Sequence, residues 1–152
     1  MAAWFESSGD IECSMQQVKQ ALEDLGSYFV DVVRLMPSLT SVELVEQGDD
    51  FVVIRTDEGL MRRTNISTEF ESERATVEFD EEYRAGPIIA TKAHFHDQFT
   101  ATDAGIAHRT VISDVKTRGL FGFFYRLLGA KSTGNAFLRS HRTYFENQSG
   151  DV

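Results

Sequence analysis

Histidines that could serve as metal ligands occur close together in one predicted strand. His94 and His96 stand two positions apart, and His108 follows in the next predicted strand. Two histidines with that spacing on a strand point to the same side, as zinc ligands often do. Phe95 and Phe99 make the odd-numbered side of the strand the apolar one, however, so His94 and His96 should face solvent. We therefore expect no metal site here.

Asp97 is the polar exception on the apolar side of that strand. A buried carboxylate needs a partner, and the residue we predict for this role is Arg109 on the following strand. Val111 and Val115 share the odd-numbered side with Arg109, and they favour that side as the inward one. An inward Arg109 could hold a carboxylate or polarise a carbonyl. The alternative is an arginine at the cavity rim or sheet edge, paired with a carboxylate.

Tyr83 and His141 could join Asp97 and Arg109 to form the polar end of an apolar pocket. These four are the candidate catalytic residues, although His141 also fits the pattern of a hydrogen-bonded core residue. The sequence shows no Ser-His-Asp order and no phosphate-binding loop, and Cys13 precedes a helix without a nearby histidine. No catalytic constellation therefore follows from spacing alone.

The elements that must position these residues are a run of strands and a long closing helix. Phe137, Leu138, His141 and Phe145 recur with the period of one helix face. Residues 40–116 alternate between apolar and polar positions and are divided by turn residues, which predicts an antiparallel meander. A first strand near residues 4–12 and two short helices near 14–25 and 27–36 precede it. This order predicts the α+β class.

Composition limits the classes of partner. The formal net charge is −9, which disfavours binding to nucleic-acid phosphates. One cysteine excludes an internal disulfide framework. No apolar stretch approaches the ~18 residues of a membrane span, and no apolar segment follows a basic start. We expect one cytoplasmic domain over residues 1–152, with no integral membrane association and no cofactor.

Three segments carry a resemblance to a known superfamily. IECSMQQVKQALEDLGSYFVDVVRLMPSLTSVELVEQG, residues 11–48, resembles the opening of START-like (SRPBCC) domains, which include polyketide cyclases and lipid-transfer proteins. DAGIAHRTVISDV and GLFGFFYRLLG, residues 103–115 and 119–129, resemble their penultimate strand and the entry to their closing helix. The resemblance implies a helix-grip fold, in which a curved antiparallel sheet of six or seven strands wraps around the C-terminal helix.

That fold usually leaves a cavity for an apolar or amphipathic ligand between sheet and helix. One inward residue row per strand and the closing helix would line it here, and the predicted lining residues are Ile66, Phe70, Val77, Phe79, Phe95, Phe99, Val111, Phe124 and Leu138. The segment 119–134 has two open interpretations. In the family the corresponding loop gates the cavity, whereas an aromatic-packed lead-in to a helix beginning near Ser132 or Thr133 is the alternative.

Three functions follow as alternatives. The first is binding, or transport, of a hydrophobic or amphipathic small molecule. The second is an enzyme resembling polyketide cyclases or dehydratases, and the third is a protein-interaction module with a protein partner. Two titratable groups that converge inside the cavity would favour the enzyme, while a single polar anchor would favour binding.

Overall fold

Seven strands and three helices make up the part of the chain that the computed structural model describes, residues 3–37, 39–85, 89–117 and 129–150. The strands form one curved antiparallel sheet with the spatial order β1-β7-β6-β5-β4-β3-β2. Their bounds, with those of the helices, are β1 (Phe5–Ile11), α1 (Met15–Leu22), α2 (Leu25–Arg34), β2 (Val42–Gln47), β3 (Val52–Thr56), β4 (Gly59–Phe70), β5 (Arg74–Ala85), β6 (Ile89–Thr102), β7 (Gly105–Thr117) and α3 (Ala130–Gly150). The predicted fold class is confirmed.

The two short helices begin at side-chain caps. Ser14 forms the predicted capping box with Gln17 at the start of α1. Asp24 caps α2 by accepting a hydrogen bond from the amide of Ser27. The helix therefore begins at Leu25, two residues before position 27, where the sequence predicted its start. Both helices connect β1 to β2, which lie at opposite edges of the sheet.

Aromatic rings fill the space between the inner face of the sheet and the helices. Phe29 of α2 packs against Phe79 with ring centroids 5.0 Å apart, and Phe79 stacks on Phe95 at the same distance. Phe137 of α3 lies 5.2 Å from Phe95. The inward phenylalanines therefore act as core residues, each touching the next.

Two β-bulges change which residues face inward. Asn65 in β4 and Asp114 in β7 both have φ near 53°, a left-handed conformation that asparagine and aspartate tolerate better than most residues. In β4 the register shifts between Thr64 and Ser67, and both Arg63 and Ile66 become buried. The predicted inward position of Ile66 is correct, and Arg63, on the other side of the bulge, faces inward as well.

The buried Arg63 holds β4 and β5 to α2. Its guanidinium carbon lies 4.6 Å from the ring centroids of both Phe29 and Phe79. Its Nε is 3.0 Å from a carboxylate oxygen of Glu81. A planar cation between two aromatic faces keeps favourable electrostatic contacts although it has lost water.

In the first interpretation of residues 119–134, Phe121, Phe123 and Phe124 would gate the cavity. These three residues lie outside the part of the chain that the structure describes. None of the described helices combines the length and the apolar composition that a membrane span requires.

Replacing Arg63 by alanine should lower the free energy of unfolding by about 3 kcal/mol, because Glu81 would lose its partner in a largely buried position. The matched control is Arg62→Ala, since the neighbouring Arg62 is exposed and its loss should cost less than about 0.5 kcal/mol. Urea denaturation followed by circular dichroism measures both. Equal effects of the two substitutions would contradict the role assigned to Arg63.

Candidate functional site

Asp97 lies on the inner face of β6, as predicted, and is 0% exposed. Its carboxylate accepts hydrogen bonds from Nε2 of His108 at 2.8 Å and from the hydroxyl of Thr110 at 2.5 Å. Both partners belong to β7, where the register sets Asp97 opposite Thr110 and Phe99 opposite His108. Directly opposed residues of an antiparallel pair share a face, so the even-numbered residues of β7 face inward here.

Arg109 is not the partner of Asp97, and that prediction is wrong. Arg109 points to the outer face of the sheet and forms an ion pair with Glu6 of β1. The prediction that the odd-numbered residues of β7 face inward is wrong, because Gly105 already pairs with Thr102 and the turn holds two residues, 103 and 104, rather than three. A shift of one residue moves every side chain of a strand to the other face. Val115 is nevertheless inward, as predicted, because the bulge at Asp114 reverses the alternation.

A second buried pair approaches Asp97 from the helices. His141 of α3 receives a hydrogen bond at Nε2 from the hydroxyl of Tyr28 in α2, at 2.6 Å, and its Nδ1 lies 2.9 Å from the carbonyl oxygen of Phe137. With Nδ1–H donating to that carbonyl, Nε2 is the acceptor, which matches a tyrosine that donates. The interpretation of His141 as a hydrogen-bonded core residue fits this geometry.

The two pairs meet in the middle of the core. The ring centroids of His108 and His141 are 4.7 Å apart, and His108 stacks on Phe99 at 4.5 Å. We call the set Tyr28, Asp97, His108, Thr110 and His141 the buried polar cluster. It joins α2, β6, β7 and α3 at one point.

Protonation in the cluster follows from burial and charge. Burial alone would raise the pKa of Asp97, but the hydrogen bond and the charge of His108 lower it below its ordinary value. Burial, with the charge of His108, lowers the pKa of His141 to about 3. Burial raises the pKa of the Tyr28 hydroxyl. Asp97 is therefore ionised at neutral pH, His141 is neutral, and Tyr28 keeps its proton.

Two atoms of the cluster have no partner among the described residues. They are Oδ2 of Asp97 and Nδ1 of His108. A buried polar atom without a hydrogen bond costs about 1–3 kcal/mol, so such atoms in an otherwise satisfied core are expected at sites of function.

Asp97, His108 and His141 also have the residue types of a metal site. One potential ligand atom from each lies within 4.8 Å of the other two, and two histidines with a carboxylate suit zinc or iron. Both ring nitrogens of His141 are already engaged, however, so a metal ion would have to displace Tyr28. The absence of a metal site stays a prediction, and titration with Zn²⁺ tests it.

The histidines of the predicted strand face outward, away from this cluster. His94 contacts Asp80 at 2.7 Å and Glu78 at 3.2 Å, and His96 contacts Glu78 at 3.3 Å. His108 lies on the opposite face, so these three histidines cannot share a metal ion. This placement agrees with the prediction that His94 and His96 point to the solvent side of the sheet.

Tyr83 and Cys13 are also separate from the cluster. The hydroxyl of Tyr83 is 2.7 Å from Thr56 Oγ1 and 3.4 Å from Glu58, near the β3–β4 turn. Burial and the charge of Glu146 raise the pKa of Cys13 to about 11, so its thiol is not an activated nucleophile. Of the four candidate catalytic residues, the structure brings together Asp97 and His141. Sequence reasoning missed the contributions of Tyr28, His108 and Thr110.

The structure gives the predicted lining residues different positions. Most are packed core residues, namely Ile66, Val77, Phe79, Phe95 and Phe99. Phe70 was predicted inward; it lies opposite Ala75 at the end of β4 but is 46% exposed. Val111 was also predicted inward, but it lies opposite His96 on the outer face. Leu138 lines a small cavity, and Phe124 is outside the described residues.

That small cavity has a volume of about 170 Å³ and lies between the sheet edge and α3. Its walls include Gly9 and Ile11 of β1, and Leu138, Arg139 and Arg142 of α3; His108 of the buried polar cluster lines it too. A larger cavity of about 980 Å³ is lined by Trp4, Ala93 and Val115 and by many charged side chains, among them Asp80 and Lys92. The small cavity is the one that reaches the cluster.

Acidification should destabilise the protein through His141. The pKa of this residue falls from an ordinary value near 6.5 to about 3 on folding, so the unfolded chain binds more protons between those values. Stability is then lost as pH falls below about 6.5, by up to about 1.4 kcal/mol per pH unit. The substitution His141→Gln should flatten this dependence between pH 6.5 and pH 4, as measured by urea denaturation at several pH values.

The control for that experiment is His94→Gln. Partial burial opposes protonation of His94, but hydrogen bonds to Asp80 and Glu78 raise its pKa. Its contribution is present at low pH and lost as pH rises, which is the opposite sign. Removing His94 should therefore not flatten the acid side, and a flattening equal to that of His141→Gln would contradict the assignment.

Comparisons with known proteins find likeness in structure rather than in sequence. No protein-family model matches this sequence, and no curated protein matches it either. Solved structures do resemble it over nearly the whole chain. A conserved protein from Geobacillus kaustophilus has a TM-score of 0.62 at 16% identity, with 93% of this chain and 94% of that chain covered.

Two further structures have descriptive names. A STAR-related lipid transfer protein from Xanthomonas axonopodis has a TM-score of 0.57 at 12% identity, with 95% of this chain and 88% of that one covered. The Zhui aromatase/cyclase from Streptomyces sp. R1128 has a TM-score of 0.55 at 17% identity, with coverage of 95% and 93%. The chain therefore has the START-like, helix-grip fold, with the buried polar cluster placed where its sheet meets its closing helix.

Proposed function

We propose that this protein binds a hydrophobic or amphipathic small molecule between its sheet and α3. The observation that carries the proposal is the buried polar cluster, whose residue His108 lines a cavity with the apolar walls Ile11 and Leu138. A cavity with apolar walls and a few convergent polar groups is the usual form of a small-molecule site. The ligand would place its apolar part against the walls and a polar group at His108.

The energetics of the cluster support a binding role. Asp97 is ionised and buried beside aromatic rings, where it is costly unless it is fully hydrogen-bonded. One of its oxygens and one nitrogen of His108 have no partner among the described residues. Of these two residues, His108 lines the small cavity, so a ligand that supplied a hydrogen bond to its free nitrogen would gain affinity by removing that cost.

The structural neighbours support the same class of function by analogy. One is named as a lipid transfer protein and another as an aromatase/cyclase. Sequence identities of 12% and 17% relate the folds, so function must come from the site in this chain. Transport of the ligand would be a further step beyond binding.

An enzyme is the second candidate, and one observation favours it. Nε2 of His108 is held by Asp97 and Thr110, which leaves Nδ1 as the free ring position. A histidine oriented by a carboxylate is a common general acid or base. Turnover of a bound ligand, lost on Asp97→Asn without loss of binding, would support the enzyme over the binding protein.

The test of binding uses toluene, an uncharged apolar molecule only slightly larger than benzene, in isothermal titration calorimetry, together with native mass spectrometry for a co-purifying ligand. We expect the folded protein to bind toluene. Leu138→Gln should weaken toluene binding about tenfold, which corresponds to losing about 1.4 kcal/mol of the apolar contact.

The matched control is Leu44→Gln. Leu44 is 40% exposed on β2, at the sheet edge opposite β1. Toluene binding should not change when Leu44 is replaced. If the native protein binds no toluene and carries no small molecule, the proposed function fails.

A further inference from the structure

The small cavity exists because of a missing side chain at the sheet edge. Gly9 of β1 lies directly opposite His108 of β7 in the strand register. A Cβ atom built at Gly9 would meet no other atom within 4 Å. Opposed residues share a face, so the absent side chain leaves open the space beside the imidazole of His108.

The walls of this cavity combine apolar and cationic groups. Ile11 and Leu138 supply the apolar contacts, and Arg139 and Arg142 supply two exposed positive charges on one side of α3. Arg142 is paired with Glu146 at 3.2 Å, whereas no ion-pair partner of Arg139 is found among the described residues. Asp10 also borders the cavity, but alternation along β1 directs it away from the face that Gly9 and Ile11 share. Two arginines at one opening are notable in a chain of net charge −9.

The floor of the cavity is a histidine with one free nitrogen. His108 is 1% exposed, its Nε2 is bonded to Asp97, and its Nδ1 has no partner among the described residues. Its ring therefore forms the inner wall of the cavity, and a molecule bound there would contact it.

We propose that this cavity binds a small carboxylic acid, with its carboxylate held by Arg139 and its apolar part against Ile11, Leu138 and the ring of His108. The proposal rests on the proposed function and specifies its ligand class. A volume of about 170 Å³ is close to the roughly 150 Å³ of a protein cavity that holds benzene. Arginine recognises carboxylates with paired hydrogen bonds, and the apolar walls favour an organic acid over an inorganic anion.

A carboxylate and its neutral amide have similar shapes but differ in charge. The amide lacks the charge that Arg139 would recognise.

The experiment compares benzoate with benzamide, its uncharged analogue of similar shape, by isothermal titration calorimetry at pH 7. We expect benzoate to bind at least tenfold more tightly. Arg139→Gln should reduce the affinity for benzoate and leave that for benzamide unchanged. Arg84→Gln is the matched control, because Arg84 is an exposed arginine of β5, and it should change neither affinity.

A second variant tests the location of the site. Gly9→Val should fill the cavity and lower benzoate affinity at least tenfold. It should fold as well as the wild type, because the added atoms enter open space and valine favours a strand. In NMR spectra, benzoate should shift the imidazole signals of His108 and leave those of the outward-facing His94 unchanged. The NMR result decides the location if Gly9→Val does not fold.

Equal binding of benzoate and benzamide, or benzoate binding that survives Gly9→Val without a shift of His108, would overturn the proposal. If toluene still binds to the wild-type protein in either case, the proposed function stands and the carboxylic-acid specificity alone fails. If the wild-type protein binds neither toluene nor benzoate, both fail together.

Discussion

The buried carboxylate of Asp97 is the constraint on which this site depends. An ionised group on a central strand must find hydrogen bonds within the protein or be neutralised. Thr110 and His108 meet this demand at Oδ1 from β7, and they do so through the strand register itself. His141 approaches from the helix layer as a neutral ring, so it adds no positive charge to the cluster. Sheet register and helix docking are thereby coupled at one point.

Aromatic rings lie against the buried polar groups of this core. Planar cations and imidazoles can stack on the faces of these rings after they have lost contact with water. His108 lies parallel to Phe99, with an interplanar angle of 6°, and Arg63 lies between Phe29 and Phe79. The rings thus hold both polar groups in place while excluding solvent, which strengthens the hydrogen bonds that these groups make.

Strand alternation, capping residues and helix periodicity predicted the fold well, because each follows from local chemistry. The face of β7 was predicted wrongly because it depends on turn length. A three-residue turn at 103–105 would pair residues of equal parity and bring Arg109 inward. The observed turn leaves Gly105 in the strand, opposite Thr102, so odd residues of β6 face even residues of β7. The sequence signal for the inward face of β7 was Asp97 itself. Its buried carboxylate is hydrogen-bonded by Thr110 and His108, whereas Arg109 has another carboxylate, that of Glu6, within reach.

The position of the small cavity at a sheet edge has a consequence for specificity. The hydrogen bonds of Asp97 lie on the β6 side of β7, whereas Gly9 and Ile11 lie on its other side, in the edge strand β1. Substitutions in β1 or on the outer part of α3 can therefore alter the shape and charge of the cavity without breaking the buried hydrogen bonds. A polar centre whose substitution would break buried hydrogen bonds is thus combined with walls whose substitution would not. With the proposed binding function, this separation would let the ligand preference change while the core stays the same.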